Sequence, residues 1–548
     1  MSRHRLGSRT LLLALLGVAA VALGIRLYAL GWRVFHWDEA RVGYWTLRYL
    51  ETGQWEYRAI VHGPLLFHVN ELLFGLFGAS DAVARGLVAV VGGLLPLSAW
   101  LFRDRLSEIE VLGLAGALAV EPTLLYYGRF MRNDVLVAGF ALLALGFTLR
   151  YLQTDRRWTV GAAVLSLGLA FGTKEIALVV IGIWGGALLL LLDHRLFVAR
   201  EVGSAWTAVA WDWIDRTIDA VTDRLWLLLG AVLEFLLVIV VLYAPRPDLY
   251  RALGDPTRIP GVLQAATIGS AQELIGVWIQ GGHEHSYVAY LTDALQTTAF
   301  VSLPLVGFAV IGFLYDRYTG ESPRDLVSFT FYWGATMYLL YPAITDISSP
   351  WSLVHSLVPL AIPAAVGLGL VIEQAIEFRD TDDTVGLAVV GIVLLAVVAQ
   401  VGVTAAQTSY QQPQADDNPL VQYGQPGGHM QATLADVEAI AAQHEGTDVL
   451  FFGDHFAVAD ETVADDPPVS GDWLNRLPLA WYLERAGATT ESATSVEAIE
   501  DPPPVVIARV KHYGDLSPLL SDYEASAYEI TSHGTETIVF VDRSALEN

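Results

Sequence analysis

Within FHWDEARVGYW, residues 35–45, Asp38 and Glu39 stand side by side among Trp37, Arg41, Tyr44 and Trp45. A carboxylate in a partly dry site can take a proton from an attacking hydroxyl, so the pair has the chemistry of a general base. The same pattern suits a solvated loop whose aromatic residues anchor at a membrane surface. Farther along, YYGRFMRNDV supplies Arg129, Arg132 and Asp134. The arginines can fork onto a phosphate, or the three can cap a helix beginning near 134 and satisfy one another. Lys174 and Glu175 of GTKE form either an interfacial ion pair or a further positive charge against a departing phosphate. His283, Glu284 and His285 are metal-ligand types, but adjacent residues fix no coordination geometry without further ligands. The sequence demands no cofactor and leaves a divalent cation open. His62 and Pro64 read first as shaping a turn.

The elements that must position these residues are set by hydrophobicity. Of 548 residues, 54% are hydrophobic and only 16% charged, which departs from soluble averages toward a membrane protein. Eleven apolar runs approach the length that spans a bilayer, at about 10–30, 82–102, 111–127, 134–151, 159–172, 176–192, 225–244, 292–314, 326–343, 351–372 and 385–405. The first exceeds the apolar core of a signal peptide and reads as a retained helix, with Arg3, Arg5 and Arg9 keeping the N-terminus cytoplasmic. Eleven crossings then place the C-terminus outside. On that topology the polar clusters near residues 38, 62, 129–134, 174, 283–285 and 345–351 all fall on the outer face. Span interiors read as almost uncharged apart from Arg26, Glu121 and Glu234. Trp211, Trp213 and Trp226, interspersed with charges, read as a helix lying on the inner membrane surface.

From about residue 406 the character changes. A polar linker, QTSYQQPQADDNP, leads into a tail with about 24 acidic and about 5 basic residues, which carries most of the chain's net charge of −26. Such a carboxylate shell suits high salt, where counterions screen the repulsion, and argues against nucleic acid as a partner. TDVLFFG, PVVIARV and ETIVFVD read as strands, with helices near 430–444 and 477–487, so a small extracytoplasmic α/β domain is expected over 406–548. The chain has no cysteine, which excludes disulfides, thiolate metal sites and thiol nucleophiles.

Taken in order, HWDEA, HGPLLF, GRFMRNDVL and GLAFGTKE resemble the membrane-embedded GT-C glycosyltransferases of the dolichyl-phosphate-mannose protein mannosyltransferase type. More narrowly they are similar to the archaeal flippase activity-associated proteins, linked by name to N-glycosylation. The resemblance covers about residues 10–370. It implies an α-helical polytopic membrane protein of about eleven spans over 1–405, in the cell membrane. It also implies transfer of a sugar from a polyprenyl (dolichyl) phosphate to a glycan or protein acceptor at the outer face. By the same resemblance Asp38 is the catalytic base with Glu39 positioning it, while His62, Arg129, Arg132, Asp134, Lys174, Glu175 and His355 form the lipid-phosphate and substrate set. The chain departs from the pattern at Ser348 and Ser349, where relatives often carry a basic residue. Two other readings stay open: a non-catalytic flippase or flippase partner for dolichol-linked sugars, and a scaffold whose outer domain is the working part.

Overall fold

The computed structural model describes residues 7–59, 63–201, 205–276, 285–319, 323–345, 347–461, 471–530 and 535–546. Each of the eleven apolar runs is helical, wholly or in pieces. Six helices are long and apolar enough to cross a membrane: Ser8–Leu27, Asp81–Phe102, Asp134–Thr154, Leu225–Tyr243, Pro350–Asp380 and Thr384–Gln411. The bent pair Tyr287–Val301 and Leu303–Thr319 makes a seventh if it counts as one span. Length and composition therefore support six or seven crossings among the described residues, fewer than the eleven expected.

The shortfall has local causes. Pro122 follows Glu121 and divides one run into Glu108–Val120 and Pro122–Tyr127, because proline cannot donate to the preceding turn. Pro304 stands just after the 96° bend between the paired helices. Arg157–Thr173 has only 17 residues.

Contacts divide the chain into two compact units, one of residues 1–28, 88–244 and 259–411, the other of 29–87, 245–258 and 412–548. Residues 29–87 thus group with the tail, where chain order alone drew the line at 405/406. In the first unit, the long Val354–Asp380 helix meets Leu303–Thr319 at backbone distance. A Cβ on Gly312 would lie 2.0 Å from the Pro363 carbonyl oxygen, and one on Gly367 2.2 Å from that of Phe308. Only glycine permits that approach, the usual device where helices associate without a hydrophobic drive.

The second unit holds a five-stranded sheet of β1 (Val449–Phe452), β2 (Thr490–Ala493), β3 (Val505–Arg509), β4 (Glu524–Glu529) and β5 (Glu536–Val541), in the order β2-β1-β3-β5-β4. β1 pairs in parallel with β2 and β3, and β5 antiparallel with β3 and β4. The three strands expected from sequence are the central ones. β2 and β4 close the edges with polar and small residues such as TESA, so they carry little of the apolar signal that marks a strand. One face of the sheet packs Leu450, Phe452, Val506, Ala508, Ile538 and Phe540 against Leu516 and Leu520. Each large side chain so buried contributes about 1.5–3 kcal/mol. The helices Gln431–Ala441 and Leu479–Ala486 lie where the sequence placed them.

Candidate functional site

Residues 33–36 adopt no regular structure and lead into the Trp37–Thr52 helix, which opens on a reciprocal cap. The Asp38 amide donates to His36 Nδ1 at 3.0 Å, and the His36 amide donates to Glu39 Oε2 at 3.0 Å. Nδ1 is therefore an acceptor and the His36 proton resides on Nε2, so its 3.7 Å separation from Asp38 Oδ2 is no ion pair. Asp38 and Glu39 thus share the positive end of one helix.

Their surroundings differ sharply. Glu39 is fully buried. Arg85 grips it with both ends of its fork, Nε to Oε1 at 2.8 Å and Nη2 to Oε2 at 2.9 Å, and Arg33 Nη2 adds a contact at 2.9 Å. Burial pushes its carboxyl up, but Arg33 and Arg85 outweigh that and hold it well below the usual range. Arg85 also donates to the carbonyls of Leu30 and Arg33, tying the approach to the helix. Asp38, by contrast, keeps 30% of its side chain exposed. Arg41, close enough to feel the Asp38 charge, lies over the Trp37 ring at 5.2 Å.

A second cluster forms in the first unit around Asp134, fully buried at the start of the Asp134–Thr154 helix. Lys174 Nζ lies 2.9 Å from Oδ1, His355 Nε2 3.0 Å from the same oxygen, and Arg132 Nε 3.3 Å from Oδ2. Lys174 comes from the extended residue that ends Arg157–Thr173, and His355 from the first turn of Val354–Asp380. Trp351 places its ring under both cations, 3.8 Å from Lys174 Nζ and 4.9 Å from Arg132 Cζ. Tyr341 stacks on the His355 ring at 5.3 Å. Ser349 Oγ, Trp351 Nε1 and His355 Nδ1 are buried here with no hydrogen-bond partner among the described residues. Buried polar atoms are rarely left so.

Of the residues proposed from sequence, Arg132, Asp134, Lys174 and His355 come together, and Glu175 is close enough for its charge to act on Lys174. Arg129 is turned elsewhere: its Nη1 donates to the carbonyls of Ile25, Arg26 and Tyr28, and its guanidinium covers the Tyr410 ring at 4.6 Å. It caps the C-terminal end of Ser8–Leu27. His62, His283 and Glu284 lie outside the described residues. His285 bonds the Thr345 carbonyl oxygen through Nε2. Among the described residues no group of three potential ligands is placed to hold a metal ion.

Sequence reasoning missed Arg85 and Trp351. The first is a correction, since a buried arginine stands inside the apolar run 82–102 that was read as uncharged. An ionisable residue in such a run is itself the signal. Arg26 and Glu121, which were noted, are consumed locally: Arg26 donates to the carbonyls of Leu118 and Ala119, and Glu121 caps Pro122–Tyr127 by accepting from the Leu124 amide at 2.7 Å.

Comparison with known proteins bears out the resemblance. Residues 61–210 match the family model of dolichyl-phosphate-mannose-protein mannosyltransferase, and residues 430–542 match that of the Agl23 flippase-associated protein C-terminal domain. The first match includes Arg132, Asp134 and Lys174 but begins after Asp38 and ends before His355. A sequence search of curated proteins finds no match. In fold the chain is similar to ArnT from Cupriavidus metallidurans. For the apo crystal structure the TM-score is 0.58 at 17% identity, and for the structure bound to undecaprenyl phosphate 0.53 at 16%. Both alignments cover 97% of this chain and 98% of the other. The fold is thus a largely helical GT-C membrane fold with a small C-terminal sheet domain.

Proposed function

Because the chain joins a region of the dolichyl-phosphate-mannose-protein mannosyltransferase family to an Agl23 flippase-associated C-terminal domain, we propose that it moves a sugar from a polyprenyl phosphate to an acceptor at the outer face of the cell membrane. The N-terminus lies in the cytoplasm, the tail domain outside, and the spans number about eleven, the shorter apolar helices crossing with the six long ones. The acceptor is a glycan or protein hydroxyl or amide. Asp38 takes its proton while the acceptor atom bonds the anomeric carbon, and the bond from that carbon to the phosphate oxygen breaks. The electron pair leaves on polyprenyl phosphate, whose charge is met by Arg132 and Lys174. Glu39 orients the turn that carries Asp38, Asp134 holds the two cations, and His355 offers Nδ1 to the substrate. No step requires a cofactor, and a divalent cation is tested by adding chelator to the assay.

One observation carries this reading: the adjacent carboxylates have divided their work, with Glu39 buried between two arginines and Asp38 left partly open to solvent. The cap and the two arginines account for Glu39, while Asp38 in the same first turn keeps an exposed carboxylate that a substrate proton can reach. The name of the domain matched by the tail favours a second reading, a flippase or its partner. Both are tested by supplying lipid-linked sugar to membranes containing the parent or Asp38→Asn and following sugar transfer and leaflet exchange separately. Loss of transfer with protein level and donor binding intact supports the transferase. Leaflet exchange without transfer in the parent supports the flippase.

A further inference from the structure

We infer that the tail domain positions the catalytic turn, acting through Trp481 and Tyr482 of the Leu479–Ala486 helix; the inference rests on the reading of Asp38 as base. Residues 33–36 belong to no helix or strand, so their backbone polar groups need partners from elsewhere. Tail residues supply partners for two of them and for the amide that follows. The Phe35 amide donates to the Tyr482 hydroxyl at 2.9 Å, the Trp37 amide to the Gly424 carbonyl oxygen at 2.9 Å, and Gln425 Nε2 to the Val34 carbonyl oxygen at 3.1 Å. Gln425 Oε1 also accepts from Arg33, one of the two arginines on Glu39, at 2.6 Å. The Trp37 indole reaches the Leu474 carbonyl oxygen at 3.1 Å.

Packing locks the same contact. The Trp481 ring stacks on Phe35 with centroids 4.8 Å apart and planes within 13°. It also borders Gly43, about one and a half helical turns beyond Asp38, where an added Cβ would come within 2.7 Å of Trp481 Cε3. Trp481 and Tyr482 are in turn fixed by Asp81, which accepts from the indole at 2.9 Å, the phenol at 2.9 Å and Arg485 at 2.8 Å. Tyr482 therefore bridges Asp81 to the Phe35 amide, donating to one and accepting from the other. A loop held this way keeps the Asp38 carboxylate in a fixed orientation, which the proton transfer requires.

The test uses the full chain in membranes. Tyr482→Phe removes both hydrogen bonds and keeps the ring, and Gly43→Ala strains the stacked Trp481 and Phe35 rings that the glycine borders. Tyr528→Phe is the control, since it deletes a buried hydroxyl contact with Thr433 elsewhere in the same domain. For Tyr482→Phe and Gly43→Ala, kcat for transfer per folded molecule falls about ten- to a hundredfold with donor KM unchanged, while Tyr528→Phe matches the parent. Unchanged kcat in Tyr482→Phe overturns the inference, as does an equal loss in Tyr528→Phe or an effect confined to donor KM. Tyr482→Phe decides alone if Gly43→Ala does not accumulate. Asp38→Asn in the same series separates the two failures: if it still transfers, the base assignment itself is wrong.

Discussion

Glu39 and Asp134 are both wholly buried, each in the first turn of a helix and each drawing cationic side chains onto itself, yet they are satisfied to different degrees. Glu39 takes both ends of the Arg85 fork and one contact from Arg33, and the remaining Arg85 donor goes to two backbone carbonyls. Asp134 holds a lysine, a histidine and an arginine, two of them lying over the Trp351 ring, beside three polar atoms without partners among the described residues. A completed network resists change and a partly completed one is costly unless something else fills it. On the proposed function the first cluster is structural and the second receives the lipid phosphate.

The contrast is broken most easily at Arg85. Arg85→Leu leaves the buried Glu39 carboxylate with Arg33 as its one remaining arginine, so stability falls by about 3–5 kcal/mol and the melting temperature in detergent drops with it. The pH dependence has a definite sign. With its folded pKa depressed, Glu39 contributes stability in full above the ordinary glutamate value of about 4.3, and loses it as pH falls through the folded value. Acid titration of Glu39→Gln melting should accordingly be flatter below that pH than the parent's.

Lys174→Met should act on the other side of the comparison. Transfer falls about 10²–10³-fold, with a smaller melting shift than Arg85→Leu, since Arg132 and His355 stay with Asp134. Arg129→Gln sharpens the division further. Removing its charge-assisted bonds to three carbonyls costs about 1.5–3 kcal/mol of stability and leaves transfer per folded molecule unaltered. The smallest effect belongs to Ser349→Ala, which deletes a hydroxyl that has no partner among the described residues. Its melting temperature stays at the parent's while donor affinity weakens a few fold, by about 1 kcal/mol, as read by titration with lipid-linked sugar.

Much of this arrangement is legible from residue types. Apolar length marks all six helices long enough to cross a membrane, and the resemblance carried by DE, RNDV and TKE brings Asp38, Asp134 and Lys174 forward as candidates. The central strands announce themselves by burial on both faces, as VLFF does. Other parts leave no local trace. Asp81 meets Trp481 across some 400 positions, and a single sequence contains nothing that pairs them. Trp351 follows shortly after Ser348 and Ser349, where a basic residue is expected, and it offers a ring to cations supplied from elsewhere. The grouping of residues 29–87 with the tail has the same origin, since the contacts that create it lie between segments far apart in the chain.

The most direct test of the account is the affinity of polyprenyl phosphate for Asp38→Asn and Lys174→Met in membranes at the salt of the parent assay. The account predicts that Asp38→Asn binds the lipid phosphate as the parent does while failing to transfer, and that Lys174→Met binds it at least tenfold more weakly, a difference of about 1.4 kcal/mol. Undiminished binding in Lys174→Met would contradict the assignment of the Asp134 cluster, and weakened binding in Asp38→Asn would contradict the division between base and anion site.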